Sequence, residues 1–149
     1  MLGADNRITP WLSGGLSIFR NGFTLQRAES PDKKAENGGI GSYALFHLVR
    51  RPTHTWYASA GGGFSGFILK KFWGDGKASA NGYYYQFGAG VRRYFGRHFG
   101  FFIETNYTNH QYKTLTIESG INKGREFPDL KLRVRSLFLQ AGFVYALGK

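Results

Sequence analysis

Bulky apolar residues and small or polar residues alternate with a period of two along most of the chain. Near the N-terminus, Leu12, Leu16 and Ile18 alternate with Ser13 and Ser17. A period of two is the side-chain repeat of a β-strand. The pattern therefore predicts an all-β chain. Six long strands are predicted, at residues 8–20, 42–51, 55–67, 82–96, 99–109 and 132–147.

The two faces of these strands differ in a way that is unusual for a water-soluble sheet. In the last strand one face carries Ala141, Phe143 and other bulky residues, whereas the other carries Gln140 and Gly142. A soluble antiparallel sheet turns its apolar face to a core and a polar face to water. Here the second face is small instead of strongly polar. We therefore expect the bulky face, including Phe87 and Phe143, to point outward and the small face to point inward.

The connections between the predicted strands also alternate in character. Residues 50–54 and 95–100 form tight turns, whereas 21–38, 71–81 and 119–130 are long, polar and charged. Short turns at one end and long loops at the other are typical of outer-membrane barrels. Aromatic residues lie at two levels, as expected for two membrane interfaces. They are Trp11, Trp56, Tyr94, Phe95, Phe99 and Phe101 near the short turns, and Phe72, Trp73, Tyr83, Tyr107 and Tyr112 near the long loops.

Length and composition narrow the possibilities. The 149 residues are predicted to form a single domain, residues 1–149, and the absence of cysteine excludes disulfides and thiolate metal sites. The mean hydropathy is −0.34, and no run approaches the roughly 18 apolar residues of a transmembrane helix. A helical membrane protein is excluded. Residues 1–7 do not have the layout of a secretory signal.

Basic residues outnumber acidic ones, 20 to 9, for a net charge of +11. They are concentrated in the predicted loops and at strand ends, where Lys33, Lys34, Arg93 and Arg133 are examples. Such rings of positive charge suit the anionic headgroups of lipids as well as they suit nucleic acids. We expect contact with lipopolysaccharide phosphates and no nucleic-acid partner.

The C-terminal strand carries a recognisable spacing. Gln140, Gly142, Tyr145 and Leu147 resemble the signal by which the barrel-assembly machinery recognises bacterial outer-membrane barrels. The pattern departs from its commonest form, because two residues follow Leu147 and there is no terminal phenylalanine.

The body of the chain resembles a known family. The sequence YYYQFGAGVRRYFGRHFGFFIETNY, at residues 83–107, is similar to the glycine-rich strand, short turn and aromatic strand of small OmpA/OmpX-like outer-membrane β-barrels of the Bacteroidota type. The resemblance covers most of residues 8–148. It implies an eight-stranded, antiparallel up-and-down transmembrane β-barrel in the outer membrane of a Gram-negative bacterium. The implied partners are membrane lipids, lipopolysaccharide and the barrel-assembly machinery.

The predicted strand count falls short of eight. One interpretation is that an N-terminal hairpin is missing from the sequence, and this is the one we favour. The alternative is that Asn21–Gly22 and the region 108–111 are turns that divide two long strands, because Asn-Gly is a strong hairpin signal. The added strands, 23–29 and 112–118, would be too short to span a membrane easily.

The inward face includes a set of polar residues that we expect to form an interior network: Arg92, Glu104, Gln86 and Gln140. Arg92 and Glu104 lie on neighbouring strands at similar heights, which predicts a salt bridge. A gate or a plug is one interpretation. The other, which we favour, is a packed interior whose polar groups satisfy each other, because buried charges must be paired in any case.

No catalytic residue, metal site or cofactor is predicted. The four histidines lack metal-ligand spacing, and the closest approach to a catalytic set is His110 with Thr108 and Glu104. The sequence instead predicts a mainly structural or surface-interacting outer-membrane barrel with a filled or narrow interior. Two alternatives remain: a soluble lipocalin-like barrel with an apolar ligand in its lumen, and a nucleic-acid binder that stacks bases on aromatic strands.

Overall fold

The structure, a computed structural model, describes residues 2–25, 33–51, 53–70, 76–95, 99–128 and 132–145, and it is all-β. Each long strand coincides with a stretch of alternating residue character. The strands are β1 (Leu2–Arg7), β2 (Leu12–Leu25), β3 (Lys33–Arg50), β4 (His54–Lys70), β5 (Lys77–Phe95), β6 (Phe99–Ile117), β7 (Glu126–Phe127) and β8 (Leu132–Tyr145).

Every strand pairs antiparallel with its neighbour in one up-and-down sheet. The order is β1-β2-β3-β4-β5-β6, and β6 pairs on its far edge with both β8 and the two-residue β7. The predicted fold class, an all-β antiparallel up-and-down sheet, is confirmed. The six long strands of the sequence analysis correspond to β2–β6 and β8. The short strand β1 was not predicted, because its sequence, LGADNR, has no alternation of bulky and polar residues.

The sheet curls so strongly that β2 reaches β5 and β6 across its concave side. The hydroxyls of Ser17 and Tyr84 lie 3.3 Å apart, and the rings of Phe19 and His110 are 5.6 Å apart. Among the described residues, however, no backbone hydrogen bonds join β1 to β8. The expected closed barrel of eight strands is corrected to a curled sheet of seven strands, besides β7, with an open seam.

The two predicted dividing turns are not present. Strand β2 continues through Asn21 and Gly22 to Leu25, and each of these residues has a partner on β3. Strand β6 likewise continues through residues 108–111 to Ile117. The alternative of two additional short strands is therefore wrong. Much of the predicted loop 21–38 is a hairpin extension held by its own ladder of backbone hydrogen bonds.

The predicted orientation of the two faces is confirmed. Phe87, Leu139 and Phe143 are 55%, 75% and 76% exposed on the convex exterior, whereas Ser17 and Asn106 are 1% and 2% exposed in the interior. The middle of the molecule is thus apolar outside and mainly polar inside. We call the exterior surface the apolar belt; it includes Leu16, Ile18, Ile40, Phe46, Trp56, Phe64, Phe87, Ile103, Leu137, Leu139 and Phe143.

Aromatic side chains mark both margins of the apolar belt. Trp11, Trp56, Phe95 and Phe99 are exposed near the short connections, and Tyr83 and Tyr107 are exposed toward the other end. Tyr112, expected with the second group, is instead 2% exposed in the interior. Its position on β6 places it on the same face as Glu104 and Asn106. Phe72 and Trp73 lie outside the described residues.

Charged residues follow directly beyond the apolar belt at the long-loop end. Glu36 on β3 accepts hydrogen bonds from Lys70 and, at 2.7 Å, from Arg20. These bonds, the one from Lys70 first, lower the pKa of the Glu36 carboxyl to about 2. The ion pairs join β2, β3 and β4 at the start of the hairpin extensions.

The Glu36 ion pairs predict a pH dependence. Since the folded-state pKa lies below the ordinary value of 4.5, the stabilisation is complete above pH 4.5 and is lost as the pH falls toward 2. A carboxyl ¹³C titration of the folded protein should show Glu36 titrating near pH 2. Between pH 4.5 and pH 2, the Glu36→Gln variant should lose less hairpin stability than the unsubstituted protein, because it has no carboxylate at this position to protonate. A Glu36 midpoint near 4.5 would contradict the ion pairs. High salt should weaken the effect, since Arg20 is 78% exposed.

Candidate functional site in the polar interior

The interior consists mainly of polar side chains that alternate with the apolar belt along the same strands. Ser59 and Ser65 on β4 are 5% and 4% exposed, and Thr108 and Asn109 on β6 are 4% and 3% exposed. Buried polar groups are expensive to desolvate unless they find hydrogen-bond partners. The pattern of partners therefore indicates how this interior is held together.

Glu104 lies at the centre of the interior cluster nearer the short connections. Its Oε1 accepts a hydrogen bond from the hydroxyl of Ser59 at 2.7 Å. Its Oε2 accepts from the hydroxyl of Tyr57 and from Nε2 of Gln140, each at 3.2 Å. The donors come from β4 and β8, the two strands that flank the β5–β6 pair in the sheet. One carboxylate thus links three strands across the concave face.

The other predicted network residues also lie in the interior. Arg92 is 9% exposed, and its guanidinium carbon lies 5.1 Å from the centre of the Tyr57 ring. It therefore joins the cluster through Tyr57, which in turn donates to Glu104. Gln86 is 8% exposed and lies farther toward the long loops, opposite Thr108. The structure brings Arg92, Glu104 and Gln140 together around Tyr57, a residue that the sequence analysis did not single out.

A glycine on β5 makes room for this cluster. A Cβ added at Gly90 would lie 2.7 Å from the Tyr57 hydroxyl and 2.7 Å from the carbonyl oxygen of Ile103. The Gly90→Ala substitution should therefore displace Tyr57 and lower the free energy of unfolding by about 1–3 kcal/mol. Urea unfolding of the refolded protein would measure the loss. The matched control is Gly22→Ala, since an added Cβ at Gly22 meets nothing within 4 Å. Equal effects of the two substitutions would contradict the packing described.

His110 is the centre of a second interior cluster, nearer the long loops. Its Nδ1 lies 3.2 Å from the Ser65 hydroxyl, and its Nε2 lies 3.3 Å from Nδ2 of Asn37. The Ser65 hydroxyl donates in turn to the Tyr112 hydroxyl at 3.3 Å. This order of donors assigns the neutral Nδ1–H tautomer to His110. Stacked on Tyr84 and Tyr112, the imidazole is 2% exposed.

The His110 cluster differs from the catalytic set considered in the sequence analysis. Thr108 was a candidate partner of His110, but its Oγ1 makes no hydrogen bond with any described residue. Serine, histidine and asparagine are residue types of a hydrolytic triad. Here the serine proton points to Tyr112 and Ser65 is 4% exposed. The arrangement ties β3, β4 and β6 together. In the described ranges no three His, Asp or Glu side chains lie close enough to share a metal ion.

An apolar cluster covers the interior at the long-loop end. This cluster was not predicted from the sequence. Alternation assigns each residue to one side of the sheet, but it does not show which residues of other strands that residue contacts. A register shift opposite Asn81 and Gly82 leaves Lys113 without a partner on β5, so that Leu115 and Ile117 turn inward after Tyr112. The cluster consists of Ala35, Phe67, Ala78, Ala80, Tyr112 and Leu115.

The described part of the molecule includes two concave regions of interest. The larger, about 540 Å³, is a groove on the exterior, bordered by Ile18, Ile40 and Phe64 within the apolar belt. The smaller, about 210 Å³, lies in the interior between the Glu104 and His110 clusters. Phe19 on β2 and Phe138 on β8 form two of its walls. Only the smaller region is lined mainly by polar interior side chains.

The residues of the predicted assembly signal lie on and after β8. Gln140 and Gly142 point into the interior, where Gln140 bonds Glu104 and an added Cβ at Gly142 would lie 2.9 Å from the Phe102 ring. Both residues thus have a packing role. Tyr145 is the last residue of β8, paired with Phe99. Leu147 lies outside the described residues.

In the described part of the chain, no helix is long and apolar enough to cross a membrane. Comparison with known proteins gives no match: no family model matches the chain, and neither a curated protein nor a solved structure is significantly similar to it.

Proposed function

We propose that this protein is an outer-membrane β-barrel protein of a Gram-negative bacterium, with a mainly structural or surface-interacting role. The observation that carries the proposal is the inverted distribution of side chains. Phe64, Leu137 and Phe143 are between 76% and 78% exposed, whereas Arg92, Glu104 and Asn106 are buried. Water-soluble proteins rarely expose a contiguous apolar surface of this kind. Lipid is the solvent that favours it.

The dimensions of the apolar belt support the proposal. On β6, exposed side chains extend from Phe99 through Ile103 to Tyr107. At about 3.3 Å per residue and a tilt of about 40°, this stretch rises roughly 20 Å, close to the apolar band of about 25 Å on known barrels. The aromatic residues at both margins of the apolar belt occupy the levels at which Trp and Tyr anchor membrane proteins at the two membrane–water interfaces. A soluble barrel for an apolar ligand would need the opposite arrangement, with an apolar lumen.

The charges beyond the belt indicate which surface would meet the cell exterior. The charged residues at the long-loop end are mostly basic, and the acidic ones include Glu36 and Glu118, both in ion pairs. Lipopolysaccharide presents phosphates at that level, so basic loops and hairpin ends suit it. The exposed basic residues are Arg20, Lys34, Lys70, Lys113, Lys123, Arg125, Arg133 and Arg135.

Membrane insertion requires that the seam be closed. Unpaired backbone groups in hydrocarbon each cost several kcal/mol, so a spanning sheet must have no free edge. The proposal therefore implies that the free edges of β1, β2 and β8 become paired in the membrane, by a process in which the barrel-assembly machinery would take part. Within this proposal the interior network has a packing role, without catalysis and without a wide pore.

A heat-modifiability gel tests the proposal. Protein refolded into detergent should migrate differently in SDS before and after boiling, because a barrel with paired edges resists SDS at room temperature. It should also require detergent or lipid to remain dispersed. Protein that stays soluble in plain buffer and unfolds in cold SDS would overturn the proposal. Salt-sensitive binding to single-stranded nucleic acid would favour the alternative of a base-stacking protein.

A further inference from the structure

The interior cavity of about 210 Å³ has a lining that is unusual within this basic protein, because none of the described residues that line it is charged. Its polar groups are the amides of Asn21, Gln86 and Gln140 and the hydroxyl of Thr108. Amides and hydroxyls both donate and accept hydrogen bonds. The lining therefore suits a ligand that is uncharged and also carries both donors and acceptors.

Thr108 supplies an independent indication of a ligand. It is 4% exposed, it lines the cavity, and its Oγ1 has no hydrogen-bond partner among the described residues. A buried hydroxyl without a partner destabilises the folded state, which makes it rare in folded proteins. Rotation of the Thr108 side chain about its Cα–Cβ bond would turn this hydroxyl toward a molecule in the cavity.

The apolar part of the lining consists of aromatic rings. Phe19 and Phe138 come from β2 and β8, and His110 contributes a ring whose two nitrogens are already bonded to Ser65 and Asn37. His110 therefore lines the cavity without offering a base or a metal ligand. The negative faces of aromatic rings attract the slightly positive C–H groups of a ring that carries hydroxyls.

The size of the cavity limits the ligand. Since a liquid water molecule occupies about 30 Å³, 210 Å³ corresponds to about seven waters. Pockets for drug-sized molecules are larger, at about 300–1,000 Å³. One six-membered sugar ring is of suitable size. Asn21, which lines the cavity, is exposed and lies on β2 just beyond Ile18, the last β2 residue that pairs with β1.

We infer that this cavity is a binding site for a small uncharged sugar of hexose size. The amides and Thr108 bind its hydroxyls, and Phe19 and Phe138 flank its ring. The site goes beyond the proposed membrane role, since it depends only on the folded interior. A failure to bind sugar would leave the heat-modifiability result unaffected.

The test is a titration of the refolded protein with glucose, followed by NMR of the Thr108 methyl and of the Gln86 and Gln140 side-chain amides. The detergent must lack a sugar headgroup, because an alkyl glycoside would compete for the site. We expect saturable shifts with a Kd on the order of 1 mM. Glucose 6-phosphate should bind at least about tenfold more weakly, since no cation lines the cavity to pair with its phosphate.

Two matched threonine substitutions test the contacts. Thr108→Val keeps the shape of the side chain and removes its hydroxyl, so it should raise the Kd about tenfold, whereas Thr108→Ser should retain most of the affinity. Thr105→Val is the control, because Thr105 is exposed on the other face of β6. Shifts that never saturate with glucose, a preference for the phosphate, or equal effects of Thr105→Val and Thr108→Val would each overturn the inference.

Discussion

The Leu139→Arg substitution is expected to destabilise the protein in a bilayer by about 2–4 kcal/mol, the cost of an arginine near the middle of the lipid-facing surface of a barrel. Leu139 is 75% exposed near the middle of the apolar belt on β8. In a water-soluble protein, the same substitution at so exposed a position would change stability by less than about 0.5 kcal/mol. Urea unfolding from lipid vesicles would measure the difference.

The control for this experiment is another exposed apolar residue that lies away from the belt. Ile121 is 105% exposed in the connection between β6 and β7. Ile121→Arg should leave both folding into vesicles and stability unchanged. A null effect of Leu139→Arg in vesicles would contradict the membrane proposal, because the substitution places a charge where acyl chains are expected.

The Glu104→Ala substitution is expected to lower the free energy of unfolding by about 3–5 kcal/mol, the range for breaking a buried charged network by removing one partner. Tyr57, Ser59 and Gln140 would each lose an acceptor. Glu104→Gln should cost less, because the amide oxygen can still accept from one or two of these donors. Equilibrium unfolding in the same detergent would compare the three proteins.

The matched acidic control is Glu118, which pairs with Lys77 at 2.6 Å and has a side chain that is 39% exposed. An exposed ion pair contributes about 0–1 kcal/mol, so Glu118→Ala should have a small effect. If Glu104→Ala lowers the free energy of unfolding by no more than Glu118→Ala does, water has replaced the lost acceptor. That result would show that Glu104 does not hold the interior together.

Alternation alone predicted which way most side chains point. It placed Phe87, Leu139 and Phe143 outside and Glu104 and Gln140 inside, because the period of two assigns each residue to a face. The cross-sheet contacts were not predictable in the same way. Ser59 and Glu104, or His110 and Ser65, belong to strands that are not adjacent, and their meeting depends on how strongly the sheet curls.

The features that the sequence analysis missed have physical explanations. Strand β1 has no amphipathic pattern and is held by its backbone pairing with residues 13–18 of β2. The apolar cluster at the long-loop end depends on the unpaired Lys113, which reverses the facing of the residues that follow it. A single irregular residue of this kind leaves no clear signal in a hydrophobic pattern.

The direction of the strands at the seam has a further consequence. Because neighbouring strands are antiparallel throughout the order β1-β2-β3-β4-β5-β6-β8, β1 and β8 run the same way. If these two margins met directly, they would form a parallel ladder with slanted hydrogen bonds, unlike any pairing among the described residues. One extended segment of opposite polarity between them would instead give both margins the perpendicular bonds found throughout the sheet.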